Sequence, residues 1–346
     1  MRHWLSVLKR HWLYWLVIII AAIVVFSRRG EIARLGQVLA QGRWQWLLAA
    51  AGLQAVFYAV SSLLYHYAFA TVGVKIRVRD LVPLLFASIF VATVTPPGIL
   101  GSAAIFIDEA NRRGQSPART GEGLVLVWVA GNASLLPVLA VGLASLAAHG
   151  ALVTYELVGS VLFIFYIALV TVALLAGLWQ PLLLYRLFAR FQRGTNRLWQ
   201  RFRHRPLLAP VWAAHNAREL IGAAHAIAGR PGWLARTSGA GLASHLLNLA
   251  SLYTVFLAFN QPVDAGLAAA GFALGLVFSV VIIVPYEIGV VIVIMTVVFT
   301  SLGVPAAASL VIVLAYRGIN AWLPVVVGLV YLRRLGIFGG RSRPPR

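Results

Sequence analysis

The sequence predicts an all-α polytopic integral membrane protein, an inverted repeat of helices with two re-entrant, broken hairpins. Hydrophobic residues make up 61% of the 346 positions and charged residues only 11%, whereas soluble domains are about half apolar and about a quarter charged. Apolar runs of about 20 residues, long enough to cross a bilayer, recur along the chain. Two of these runs are interrupted by proline and glycine at corresponding places. The length holds about eight or nine spans with their loops.

The composition excludes several kinds of active site. The chain has no cysteine, which excludes disulfides, thiolate metal sites and cysteine nucleophiles. It contains no HExxH, GxSxG or phosphate-loop motif, so we expect no metal, no cofactor and no catalytic residues. The formal net charge is +20, from 29 basic and 9 acidic residues. Because most of these cations lie outside the apolar runs, the expected partners are membrane lipids with anionic headgroups, and nucleic acid is not needed.

The first elements predicted are an uncleaved span, an amphipathic stretch and a second span. Residues 12–26 are apolar and follow basic residues, but Ser-Arg-Arg stands where a signal peptide would have small residues for cleavage. The stretch 32–42 is weakly amphipathic and suits the headgroup region. The second span covers 47–72.

The next apolar stretch, the first hairpin (81–107), is broken by Thr-Pro-Pro-Gly at 95–98. Its two arms are too short to cross a bilayer separately. Cations flank it on both sides, at 75–79 and 112–119. If positive charge stays cytoplasmic, both ends lie on one side and the stretch is re-entrant. A single broken span is the alternative.

Charge also orients the remaining spans, which are predicted at 124–147, 157–178 and 233–259. The loops 149–156 and 260–266 carry no Lys or Arg, so we expect them outside. In contrast, the segment 181–236 holds ten arginines against one acid and is expected in the cytoplasm.

A second hairpin (267–302) is broken at Pro285, Tyr286 and Glu287. The last span follows it and ends at Arg333 and Arg334. A cytoplasmic C-terminus requires the second hairpin to begin and end outside, so it enters from the face opposite to the first. Both chain termini are then cytoplasmic, in what we expect to be a prokaryotic plasma membrane.

Five arginines in the basic segment follow helical spacing, with intervals of 4, 3, 4 and 4 residues. They are Arg186, Arg190, Arg193, Arg197 and Arg201. A helix would place them on one face. They are either a solvated topology determinant or an interfacial helix that gathers anionic lipid.

The two halves share residues at a constant separation of 188 positions. The matching pairs are Pro97 with Pro285, Gly101 with Gly289, Pro117 with Pro305, and Asn132 with Asn320. We therefore divide the chain into a first membrane repeat (1–147), a second (148–335) and a basic tail (336–346). Inverted halves with broken helices at the midplane are typical of secondary transporters.

The broken tips and one intramembrane charge are the candidate substrate-binding residues. They are Pro97, Gly98, Gly101, Pro285, Glu287, Gly289 and Arg317. Proline and glycine free backbone groups that lipid cannot satisfy, so the tips must be buried or line a polar cavity. Arg317 lies inside the last span, where a charge is costly and marks a functional candidate. Its predicted partner is Glu287, as a structural lock or as a gate opened by a charged headgroup.

The tip motifs resemble those of the lysylphosphatidylglycerol synthase transmembrane (flippase-like) family, over nearly the whole chain. The likeness rests on Pro97, Gly98 and Gly101, on 109–114, and on Pro285 with 288–290 and 302–307. The second family motif usually runs Pro-Gly-Gly-Ile-Gly-x-x-Glu. This chain has Tyr286 and Glu287 for the two glycines and Ile292 for the acid.

The resemblance implies a lipid flippase. Family members are similar to the membrane half of the multiple peptide resistance factor, which presents aminoacylated phosphatidylglycerol on the outer leaflet. The soluble aminoacyl-transfer module of the bifunctional members is not expected here, so we expect no synthase activity. The alternatives are a scaffold or accessory subunit for a separate lipid-modifying enzyme or glycosyltransferase, and a membrane-embedded transferase. The partner alternatives are a second copy of the chain, in a homo-oligomer, and a separate lipid-modifying enzyme.

The orientation is testable by labelling an Ala151→Cys variant, because the chain has no cysteine of its own. We expect an impermeant thiol reagent to react with this residue from outside the cell, since its loop carries no cation. Labelling only from the cytoplasmic side would overturn the predicted orientation.

Overall fold

The computed structural model describes residues 40–94, 98–200, 206–261, 263–281, 287–325, 327–328 and 331. The predicted first span (12–26), Arg333, Arg334 and the basic tail lie outside these residues. The first half contains α1 (Trp44–Thr71), α2 (Val78–Val94), α3 (Gly98–Arg112), α4 (Pro117–Ala133) and α5 (Leu136–Ala148).

The second half begins with α6 (Thr154–Trp179), α7 (Pro181–Gln200) and α8 (Trp212–Gly229). It continues with α9 (Pro231–Ala258), α10 (Ala265–Val281), α11 (Glu287–Ser301), α12 (Ala306–Arg317) and a π-helix (Gly318–Trp322). Among the described residues five helical stretches are long and apolar enough to cross a membrane: α1, α4 with α5, α6, α9 and 306–325. The predicted all-α polytopic class is confirmed.

The helices α1 and α9 form an antiparallel pair at the centre of the fold. The amide of Arg43, just before α1, donates to the carbonyl of Ala258 at 2.9 Å. At the other end, Arg230 Nη1 donates to the carbonyl of Ala70 at 2.7 Å. Each helix has 28 residues, or about 42 Å of length. The first residue of each helix thus lies beside the last turn of the other.

The helix bounds repeat along the chain. The starts of α9, α10, α11 and α12 follow those of α1, α2, α3 and α4 by 188 positions, to within one residue. Because α1 and α9 correspond to each other and run in opposite directions, the two halves of the fold are related by an inversion of direction. This arrangement also explains the exchanged end contacts of the central pair.

Both broken stretches fold back on themselves as helical hairpins. In the first, Arg113 Nη1 at the end of α3 donates to Asp80 Oδ2 at the start of α2, at 2.7 Å. In the second, Gly271 of α10 lies against Phe299 of α11. The alternative of a single broken span would separate these residues by the length of the whole stretch.

The molecule has one cation-rich end and one cation-poor end. The two loops without Lys or Arg lie together at the cation-poor end. Beside them, Ser145 Oγ lies 3.4 Å from Asp264 Oδ1. At the opposite end the amide of Lys75 donates to Gln115 Oε1 at 3.1 Å, close to the base of the first hairpin. The second hairpin starts at the cation-poor end. The hairpins therefore enter the fold from opposite ends.

Two predicted spans are interrupted at corresponding places. The span predicted at 124–147 is two helices, α4 and α5, because Pro137 has no amide hydrogen to continue the helical ladder. The last span changes from α-helix to π-helix at Gly318, and Pro324 follows that segment. The repeated Asn-Ala pair lies at both breaks: 132–133 are the last residues of α4, and 320–321 lie within the π-helix.

The contact between α5 and α10 gives a stability prediction for Gly142→Ala. A Cβ at Gly142 would lie 2.6 Å from the Cα of Ala270, and backbone cannot move aside as a side chain can. We expect the variant to lose about 1–3 kcal/mol and to show a lower thermal midpoint in detergent. Gly52→Ala is the matched control, because its Cβ would meet open space. Equal midpoints for both variants would contradict this packing.

Candidate functional site

A buried polar network lies at the middle of the central helix pair. Gln54 Nε2 of α1 donates to Asn248 Oδ1 of α9 at 2.8 Å. Asn320 Nδ2 of the π-helix donates to the same oxygen at 2.8 Å and to Gln54 Oε1 at 3.2 Å. Gln54 is fully buried and Asn248 almost so. Three carboxamides thus join α1, α9 and the last span near the middle of the bundle.

The π-helix follows from the sequence around Asn320. In an α-helix the Asn320 carbonyl would accept from residue 324, which is a proline without an amide hydrogen. Instead Tyr58 Oη of α1 donates to this carbonyl at 2.8 Å. The freed backbone group is therefore satisfied by the neighbouring helix. Such π-helical insertions occur frequently at functional sites.

Arg317 is the last residue of α12 and directly precedes the π-helix. It is half-buried and lies within electrostatic range of the Tyr58 and Tyr316 hydroxyls. The structure thus brings the predicted intramembrane arginine next to the polar network. The side chain of Glu287 is not among the described ones, so its pairing with Arg317 stays a prediction.

The candidate tip residues lie where the second arm of each hairpin begins. Gly98 is the first residue of α3 and Gly101 lies in its first turn. Glu287 and Gly289 hold the same places in α11. Pro97 and Pro285 lie outside the described residues. Both tips therefore carry a helix N-terminus, where unpaired N–H groups and the helix dipole favour negative charge.

The predicted arginine helix is α7, and its charges lie apart from the central network. Arg186, Arg190, Arg193 and Arg197 are all exposed and fall within an arc of about 60°. Arg201 lies outside the described residues. Exposed apolar side chains occupy the adjacent arc of the helix: Leu183, Leu187, Phe191 and Leu198. A cationic stripe beside an apolar stripe is typical of helices that lie in a membrane interface.

The third side of α7 is fastened to the chain that leads into α8. Asn196 Nδ2 donates to the Leu208 carbonyl at 3.0 Å, and Asn196 Oδ1 accepts from the Leu208 amide at 2.8 Å. Trp212, at the start of α8, packs on Phe188 and Phe191. The arginine helix and α8 are thus held together as one unit.

Other polar residues in the spans have structural roles. His66 Nδ1 lies 2.8 Å from the Ile76 carbonyl and His245 Nε2 lies 2.9 Å from the Gly131 carbonyl, as expected for helix-packing histidines. Tyr65 stacks on Phe106 at a ring distance of 4.8 Å. Local ion pairs join Asp108 to Arg112 and Glu109 to Arg113.

Sequence reasoning missed Gln54, Tyr58 and Asn248 as members of the site. Gln54 and Asn248 are carboxamides within apolar runs, which is the signal that could have found them. The repeat identifies Asn320 only as the counterpart of Asn132. Its place four residues before Pro324 is the local sign of a freed carbonyl.

A comparison of the chain with protein-family models identifies one family. The family model described as "Lysylphosphatidylglycerol synthase TM region" matches residues 12–328. This match covers both hairpins, the central helix pair and the basic segment. No curated protein matches the chain.

The polar network predicts energetic coupling between Gln54 and Asn248. Asn248→Leu removes the acceptor of Gln54 Nε2 and leaves Asn320 Nδ2 only Gln54 Oε1, so we expect Gln54→Leu to cost less in that background than alone. The coupling should be about 0.6 kcal/mol and at most about 1.7 kcal/mol, the range for polar contacts between membrane helices. Thermal unfolding in detergent of the four proteins measures it. Asn132→Leu is the control, since Asn132 bonds within its own helix; additive losses would contradict the coupling.

Proposed function

The chain belongs to the family of the lysylphosphatidylglycerol synthase TM region, and from this premise we propose that it is a lipid translocase. It moves a phospholipid or a lipid-linked headgroup between leaflets, and an aminoacylated phosphatidylglycerol is the candidate that the family name suggests. The observation that carries the proposal is the pair of broken hairpins, which enter from opposite ends of the bundle around a buried polar network.

The lengths of the hairpin arms support re-entrant tips. The arms of the first hairpin have 17 and 15 residues, as do those of the second. At 1.5 Å per residue they measure about 25 and 22 Å, whereas the hydrocarbon core is about 30 Å thick. Each tip would end inside the membrane, one reached from each side. A headgroup could then be accepted from one leaflet and released to the other.

The chemistry of the tips suits a phosphate-bearing headgroup. The starts of α3 and α11 direct backbone N–H groups towards the tips, and helix N-termini bind phosphate. Arg317 supplies a cation next to the central network, where low dielectric strengthens its attraction for an anion. Glu287 at the second tip would attract the amino group of an aminoacylated lipid. Together these groups replace the water that a headgroup loses in crossing.

The stripes of α7 support a role in collecting lipid before transfer. Each arginine near an anionic surface contributes roughly 1 kcal/mol of attraction, and the exposed apolar stripe would lie among the acyl chains. This role differs from that of the tips, because surface cations raise the local lipid concentration but do not stabilise a headgroup at the midplane. Transfer and capture should therefore respond to different substitutions.

The proposal predicts that Gly101→Leu and Gly289→Leu stop lipid transfer while the protein stays folded. A leucine at either tip fills the space that a headgroup needs beside the helix N-terminus. The assay uses vesicles reconstituted with the purified chain and carrying fluorescent phosphatidylglycerol, with the outer-leaflet signal quenched over time. Gly239→Leu is the matched control, because that glycine faces open space on α9.

The same assay separates capture from transfer. Changing Arg190, Arg193 and Arg197 to Gln should only slow transfer, and high salt should mimic the change, since surface attraction is screened within about 8–10 Å. Replacing the exposed cations Lys75, Arg77 and Arg79 by Gln is the control. It removes the same charge from a segment outside α7 and should slow transfer less. Unchanged transfer in both glycine variants would reject the hairpin mechanism, whereas an absence of transfer by the wild-type chain would favour the non-transporting scaffold.

A further inference from the structure

The crossing of α4 and α8 contains two carboxylates that are seated against each other's helix. Glu219 of α8 lies against Gly121 of α4, and Glu122 of α4 lies against Gly222 of α8. A Cβ at either glycine would collide with the facing carboxylate. The two acids are therefore part of the packing of this crossing.

Few of the charges that the structure describes act on this pair. Arg119 lies one turn before Glu122 and acts on it electrostatically. His215 Nε2 lies 3.2 Å from Glu219 Oε1 and its side chain is mostly exposed. Among the described residues, Glu122 forms no ion pair within 4.0 Å. Among the described residues, the two acids thus face one arginine and one histidine.

The neighbouring helices bring mainly apolar contacts to the crossing. Phe69 and Val72 of α1 lie against Gly123, the next glycine of α4, and Gly177 of α6 lies against Ile221 of α8. The other titratable or charged residues on α8 and at the start of α9 are exposed: Arg218, His225, Arg230 and Arg236. At the end of α3 and just after it, the charged residues are engaged in ion pairs of their own: Asp108 with Arg112, and Glu109 with Arg113. Four arginines of α7 are also exposed: Arg186, Arg190, Arg193 and Arg197.

Ionisation of both acids works against the close crossing. Burial raises the pKa of Glu219, and a protonated His215 opposes this shift. The carboxylates of Glu219 and Glu122 interact as like charges. Two like charges held between packed helices favour the uptake of a proton by one of them.

We propose that Glu122 and Glu219 form a proton-binding site that controls how tightly α8 packs on α4. With a proton bound, the crossing is close; when the proton leaves, the two negative charges loosen it. Because α7 is fastened to α8, the arginine helix moves with the crossing. The ligand of the site is the proton at the cation-rich end of the molecule, so local pH regulates the position of the lipid-collecting surface.

The sign of the pH effect follows from the direction of the shift. A carboxyl whose pKa is raised on folding binds more protons in the folded state than in the unfolded state. Its contribution to the free energy of unfolding is fully present when the pH is below the pKa range of an ordinary carboxyl. This contribution is lost as the pH rises through the pKa of the folded state. The thermal midpoint should therefore fall as pH rises above about 4.5.

The test measures the thermal midpoint of the purified full chain in detergent between pH 5 and pH 8. We expect the wild-type midpoint to fall by several degrees over this range, and Glu219→Gln and Glu122→Gln each to flatten the profile. Asp108→Asn is the control, because that acid is half-exposed and paired with Arg112 within its own helix; it should keep the wild-type slope. Gly121→Ala keeps both acids but displaces Glu219, and should reduce the slope as well.

A flat wild-type profile would overturn the proposal even if the variants failed to fold, and so would wild-type slopes in both glutamine variants. The lipid-transfer assay at the same pH values adds a second readout, which rests on the proposed function. If no protein transfers lipid at any pH, the translocase proposal fails, whereas the midpoint profile still decides the proton site.

Discussion

The fold depends on one constraint, which is that a backbone carbonyl freed inside the membrane must find another donor. Two carbonyls are freed near the prolines of the interrupted spans, and each is satisfied by the central helix of the other half. The Gly131 carbonyl is bonded by His245 of α9, and the Asn320 carbonyl by Tyr58 of α1. These two contacts occupy corresponding positions of the repeat to within one residue. The breaks are therefore tolerated only because the halves are packed together.

The same reciprocity governs the ends of the central pair. The Arg43 amide caps the last turn of α9, and the corresponding residue in the second half is Pro231, which has no amide hydrogen. The neighbouring Arg230 side chain bonds the Ala70 carbonyl instead. The sequence has thus changed while the hydrogen bond is kept. Such substitutions are the reason that a repeat of this kind is only faintly visible as residue identities.

Composition, charge and the positions of prolines were sufficient to predict the membrane class and the hairpin breaks. They are properties of single segments, so one sequence reveals them. The polar network could not be predicted in the same way, because Gln54, Asn248 and Asn320 come from three distant segments. Their proximity depends on which faces of the helices meet. Asn132 illustrates the limit: it corresponds to Asn320 in the repeat, yet it bonds within its own helix.

The difference between two glycine contacts indicates which part of the fold can move. At Gly142 the facing group is the backbone of Ala270, so α5 and α10 pack closely at any pH. At Gly121 the facing group is the Glu219 carboxylate, whose fit depends on its charge. A carboxylate that gains or loses a proton changes the free energy of its contact by about 1.4 kcal/mol for each unit of pKa shift, whereas an apolar backbone contact has no such variable. Movement should therefore begin at the α4–α8 crossing and include α7, which is fastened to α8. The packing of α5 on α10, the first arm of the second hairpin, should stay in place.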